Sequence, residues 1–142
     1  MFQRTRQKPE QPRLTVLCRN LEQVRVAAAE PGIDWIYANF EFIKQYPAAV
    51  QTVRDAGKRI ALAVPRIHMP GENGYFEHIL RLKPDGVLIR NLGAMYSFSQ
   101  WRINRPDEHQ PELIGDFSLN IANHRSAALF LRAGPGSPLP MT

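Results

Sequence analysis

The chain has 142 residues, of which 44% are hydrophobic and 22% charged, so wholesale disorder is excluded and one cooperative domain is expected. Its 18 Lys and Arg against 13 Asp and Glu leave a formal charge of +5. One cysteine, Cys18, excludes an internal disulfide and any structural zinc or iron-sulfur site built from this chain alone.

Residues 1–12 are polar, with three glutamines and two prolines, and read as a flexible arm. Over the first nineteen residues Arg4, Arg6, Lys8, Arg13 and Arg19 face only Glu10, so this end of the chain, arm included, is basic. Such an arm either neutralises phosphates, as in RNA binding, or stays a solvated tail. Aromatic side chains are not interleaved with the basic ones there, which favours the tail.

Leu14 to Cys18 forms the first expected strand, with Cys18 a buried thiol. Asn20 then caps a helix whose Leu21, Val24, Ala27 and Ala28 make one apolar stripe, and Pro31-Gly32 stops it. Ile33 to Phe40 is nearly continuous in apolar residues, as in a strand covered on both faces or enclosed in a barrel. The helix expected over Glu41 to Ala56 carries Pro47, which removes an amide donor, so it restarts with Pro47 in its first turn; Gly57 ends it.

Arg59 to Val64 is the third strand, followed by the Pro/Gly loop RIHMPGENG and a short helix over Gly74 to Leu82, in which the lone His78 reads as packing. The fourth strand is Val87 to Arg90, and Asn91-Leu92-Gly93 leads into a short helix or turn ending near Gln100. Trp101 to Pro111 reads as a polar excursion. Leu113 to Ile121 is the fifth strand, Asn123 caps a last helix through Leu131, and breaker residues follow.

Alternating strands and helices predict an α/β fold, a parallel (β/α) repeat of about five strands that looks like an incomplete TIM barrel. The expected organisation is a basic arm at 1–12, a repeat domain at 13–134 and a tail at 135–142. A closed eight-stranded barrel takes about 250 residues. Either the sheet is open and complete in itself, or its remaining strands come from a second chain or a homo-oligomer. No run approaches the roughly 20 apolar residues of a membrane span, and no secretory signal is visible, so a cytoplasmic protein is expected.

Parallel α/β proteins place their sites in the loops after the carboxyl ends of strands. That rule selects Arg19, Asn39, Arg90, Asn91, Asp116, Asn120 and Asn123 as candidate ligand or barrel-mouth residues, with Arg66 and His68 after strand three. Arginine offers a rigid donor fork and asparagine both a donor and an acceptor, which suits a planar anionic or amide-bearing ligand. The same residues also cap helices and satisfy loop carbonyls. Alternation along strand five would place Asp116, Ser118 and Asn120 on one interior face, with Arg90 the obvious partner of Asp116. No nucleophile elbow, HExxH helix or phosphate-cradling loop is present, and no metal site is expected.

The segment LIGDFSLNIANHRSAALFLRAGPGSP resembles a strand-helix element of the U32 peptidase family, the collagenase-like proteases, through Gly115, Asp116, Leu119, Asn120 and Asn123. VLIRNLGAM is similar to a second family element through Asn91, Leu92 and Gly93, and LTVLCRNLEQVRVAA to the opening strand and helix of its barrel unit. The resemblance covers about residues 13 to 138 and implies a TIM-barrel-like domain of a protease, present here as a partial or truncated member. It also implies relatives that are iron-sulfur proteins supporting hydroxylation of a ubiquinone precursor or of ribosomal RNA. Their 4Fe-4S cysteines follow the position of Asn123 and are absent from this chain, so no cofactor is expected in it.

Overall fold

The computed structural model describes residues 13–67 and 73–131. The basic arm, the tail, His68 and most of the RIHMPGENG loop lie outside the described residues. Five strands, β1 (Leu14–Cys18), β2 (Ile33–Ala38), β3 (Arg59–Ala63), β4 (Gly86–Ile89) and β5 (Glu112–Gly115), alternate with helices α1 (Leu21–Ala29), α2 (Tyr46–Asp55), α3 (Asn73–Arg81), α4 (Leu92–Asn104) and α5 (His124–Leu131). The strands are all parallel and lie in sequence order, β1-β2-β3-β4-β5. The sheet is open, and no described helix is long and apolar enough to cross a membrane.

With the strands in sequence order, right-handed crossovers throughout put the helices on one side. Burial follows that rule. Val16, Cys18, Ile36, Ala38, Ile60, Leu62, Val64, Val87, Ile89 and Leu113 share one core with Val24, Tyr46, Val50, Val53, Ile79 and Phe98 of the helices. The alternate strand residues Trp35, Ala61, Ala63, Leu88 and Ile114 form a second, smaller core with Tyr37 packed against it and no helix residue in it. The first face is the helix side; the second corresponds to the interior of a barrel.

Small residues let the interior side pack against itself. A Cβ on Gly86 would come within 2.9 Å of Ile114 Cδ1 and 3.0 Å of Trp35 Cζ3. The indole of β2 therefore reaches across β3 to β4, where the Ile114 side chain of β5 meets the same gap. Arg59 lies over that indole, 4.4 Å from the ring centroid, and Tyr37 meets it edge-on at 6.1 Å.

The helix ends are as legible as their sequences. The Asn20 side chain accepts from the Gln23 amide at 2.9 Å, while Gln23 Oε1 accepts from the Arg19 amide at 2.7 Å, a near capping box. Pro47 does stand in the first turn of α2, after a single 3-10 turn at Ile43–Gln45. Gly57, at φ +68°, closes α2 in a Schellman motif: Lys58 N donates to Val53 O at 3.1 Å and Gly57 N to Arg54 O at 2.9 Å.

Three expected strand and helix ends move by two residues or more, while β3, β4 and α3 shift by one. β2 ends at Ala38, two residues before Phe40, because Phe40 turns away to stack on Tyr46 with ring centroids 5.4 Å apart. α4 runs on to Asn104 instead of stopping near Gln100. Arg102 is the reason: its guanidinium donates to Gln110 Oε1 at 3.2 Å and Pro111 O at 2.9 Å, folding the polar excursion back along the helix. β5 is four residues long and ends at Gly115; a 3-10 turn at Phe117–Leu119 replaces the rest of the expected strand.

Candidate functional site

The carboxyl ends of the strands form a rim, and the residue after each strand is placed by strand alternation. Arg90 follows β4 on the side of Leu88, and Asp116 follows β5 on the side of Ile114, both on the interior face. The Asp116 amide still donates to Ile89 O at 2.9 Å, so the pairing continues one step beyond the strand and fixes that carboxylate opposite Arg90.

Arg90 is the centre of the rim. Its Nε donates to Asp116 Oδ2 at 3.1 Å and its Nη1 to Asn39 Oδ1 at 2.9 Å. The guanidinium, reaching from β4 to the end of β2, passes over β3. Arg90 is only 5% exposed, and a buried guanidinium is tolerable only when paired and hydrogen-bonded, as here. Ser118 Oγ lies 3.0 Å from Asp116 Oδ2 and 2.9 Å from Arg90 O, so its one proton is shared between two acceptors of the network.

Beside this network opens a cleft of about 480 Å³ lined by Arg19, Asn39, Phe40, Glu41 and Arg66. The Arg19 and Arg66 side chains are exposed, and the Arg66 guanidinium sits over Phe117, 5.1 Å from the ring centroid. Two accessible guanidiniums, one carboxylate and the amide of Asn39 thus face solvent at one place. Guanidiniums so displayed suit a carboxylate or another planar anion, and the amide adds directional hydrogen bonding.

The remaining candidates play other parts. Asn91 caps α4, accepting from the Ala94 amide at 2.7 Å, and its Nδ2 donates to Pro65 O at 2.9 Å, which ties the end of β3 to the start of α4. Asn123 caps α5, its Oδ1 accepting from the Arg125 and Ser126 amides at 3.0 Å each. Asn120 does not point into an interior: it is exposed and adopts the left-handed conformation, φ 53°, closing the 3-10 turn. Asp116, Ser118 and Asn120 therefore do not share a strand face. The pair Arg90 and Asp116 does form.

The contact between Arg66 and Phe117 is absent from the sequence reading, which assigns Phe117 to the apolar face of a strand. Phe117 is 73% exposed. The signal that would have found it is the density of turn-favouring residues in Gly115-Asp116-Phe117-Ser118-Leu119-Asn120, too high for a strand interior.

The polar groups around Arg90 are bound chiefly to one another. Ser118 has an acidic neighbour already engaged by Arg90, and no described histidine bonds to it. Among the described residues no three of His, Cys, Asp and Glu come together as metal ligands. A four-thiolate cluster does not fit either: Cys18 is this chain's one cysteine, it is 1% exposed on the helix side of β1, and burial pushes its thiol pKa up. A separate cleft of about 500 Å³ lies between the ends of α3 and α4, where Arg81 pairs with Glu77 and Arg105 with Glu108. Those pairs are solvent-exposed surface charges of small energetic weight.

No family model, curated protein or solved structure matches the chain.

Proposed function

We propose that this protein is a U32 peptidase-type, collagenase-like chain whose described domain is a five-strand portion of that family's barrel, binding a peptide at the strand-end rim and not hydrolysing it unaided. The observation that carries the reading is that one residue of each family-like segment, Asp116 and Asn91, is tied to the strand-end rim. Asp116 of the GDFSLN segment holds Arg90, and Asn91 of the NLG segment binds Pro65 O and caps α4. A peptide supplies carboxylates and amides, the groups that exposed Arg19 and Arg66 and the side chain of Asn39 are equipped to bind. Cleavage requires a nucleophile or activated water held in fixed geometry against the scissile carbonyl, and Ser118, Asp116 and Arg90 are engaged with one another.

The test is to incubate the purified chain with heat-denatured collagen and with casein, measuring binding by calorimetry and new amino termini by mass spectrometry. Binding without new termini, weakened about tenfold by the exposed-site change Arg66→Ala, is expected. New termini that vanish in Asp116→Asn would establish hydrolysis by this chain. No binding to either substrate, alongside tight salt-dependent binding of an RNA oligomer, would replace the peptide reading with the hydroxylation branch of the family.

A further inference from the structure

The amide of Asn39 has a fixed orientation. Its partner Arg90 is a guanidinium, which only donates, so the amide oxygen must be the atom 2.9 Å from Nη1. The two N–H donors of Asn39 Nδ2 are then left for the cleft that Asn39 lines, and Nδ2 makes no hydrogen bond among the described residues. Arg90 is held in turn by Asp116, and the next residue along, Phe117, lies beneath the Arg66 guanidinium. One buried ion pair thus orients the amide and starts the turn that supports Arg66.

The charged groups of the cleft are unengaged. Neither Arg19 nor Arg66 forms an ion pair with Glu41 or with any other acid among the described residues. Two guanidiniums against one carboxylate give the lining a single net positive charge, and Glu22 and Lys44, which follow on α1 and the 3-10 turn, balance each other. That charge matches a monoanion, whereas a phosphate dianion would leave a negative charge in excess. A carboxylate is a monoanion whose two oxygens accept several donors at once, as two guanidinium forks and an amide require. At about 480 Å³ the cleft is at the small end of ligand sites, with room for roughly one or two residues and not for a chain passing through.

We infer that this cleft takes the free carboxyl end of a peptide, the terminal carboxylate lying between Arg19, Arg66 and Asn39 Nδ2 while Glu41 accepts the N–H of the same residue. The inference rests on the peptide-binding reading above and narrows it from any stretch of peptide to a chain end. Arg90 and Asp116 are positioning residues: they act through Asn39 and the turn at Phe117.

Calorimetric titration of the full chain with N-acetylated peptides of one glycine-alanine sequence tests it. One peptide ends in a free carboxylate, one in a carboxamide, and one in a carboxamide with a glutamate in its interior. The free acid is expected to bind at least about tenfold more tightly than either carboxamide. Asn39→Asp keeps an acceptor for Arg90 but replaces the Nδ2 donors by a carboxylate oxygen, and it should weaken the free acid about tenfold, as should Arg66→Ala. Both should leave the carboxamide within about threefold of its original affinity, a discrimination that general damage to the fold would not produce. Equal binding of the free acid and the carboxamide, or a glutamate peptide that matches the free acid, would overturn the inference and leave the peptide reading standing. So would a chain that binds denatured collagen or casein but not the free acid. Inorganic phosphate or free glycine binding more tightly than the free acid would overturn it by giving the cleft a different occupant. No binding of any peptide, denatured collagen and casein included, would remove the peptide reading and the inference with it.

Discussion

The two faces of the sheet are stabilised in different ways. On the helix side, strand residues such as Ile36, Ile60, Leu62, Val87 and Ile89 are buried by a layer of helices, so many side chains share the work and each is surrounded on every side. On the interior side, Trp35, Ala61, Ala63, Leu88 and Ile114 form the core from strand residues alone, and one indole spans three strands. A parallel sheet can bury its second face without a second helix layer when small residues let it curve around one large side chain.

The largest expected effect comes from removing that side chain. Trp35→Ala should destabilise the chain by about 4 kcal/mol, at the upper end for a buried aromatic, while Leu62→Ala on the helix side should cost about 3 kcal/mol. Chemical denaturation of both variants checks the order; equal or inverted losses would mean that the interior core is not centred on the indole. At the rim, Asp116→Asn leaves the Arg90 guanidinium buried without its anion and should cost about 3 kcal/mol. Conversely, filling the gap with Gly86→Ala should cost about 1–2 kcal/mol, since Ile114 Cδ1 and the indole must give way. Most of that loss should disappear when Ile114→Val, which removes Cδ1, is combined with it; a purely additive double variant would argue against the contact.

A weaker effect separates the faces by pH. Burial, opposed by the Tyr75 hydroxyl, by Phe40 and by the charge of Arg90, pushes the Tyr46 phenol pKa up, and its hydroxyl donates to Ala63 O at 3.0 Å. Burial likewise raises Tyr37 on the interior face. A folded-state pKa above the unfolded value of about 10 means that the contribution is fully present below pH 10 and is lost as pH rises through the folded value. Tyr46→Phe should therefore flatten part of the alkaline decline in melting temperature, leaving the share due to Tyr37. The smallest effect is a gain: His78 Nε2 is buried with no hydrogen-bond partner, and His78→Leu should stabilise by about 1 kcal/mol.

The strands and several helix ends were legible because each rests on a local rule. Asn20 and Asn123 cap the helices their positions suggest, Gly57 supplies the left-handed turn, and Pro47 lies where its missing amide does no harm. The pair of Arg90 with Asp116 was legible too, from strand-end position and opposite charge. What the sequence concealed depends on contacts distant along the chain. The extension of α4 rests on Arg102 reaching Gln110 and Pro111. Asn39 as the second partner of Arg90 is 51 residues away, beyond any periodicity. The division of the apolar residues into a helix side and an interior side also needed the strand order, because both faces are built from similar residue types.

Gly86 and Trp35 also give the molecule an optical signature. Of its two tryptophans, Trp101 is partly exposed on α4, whereas Trp35 is 7% exposed and capped by the Arg59 guanidinium. Light emitted from Trp35 should be short in wavelength and inaccessible to iodide while that from Trp101 is quenched, so the interior core can be followed separately from the helix layer in a single unfolding trace.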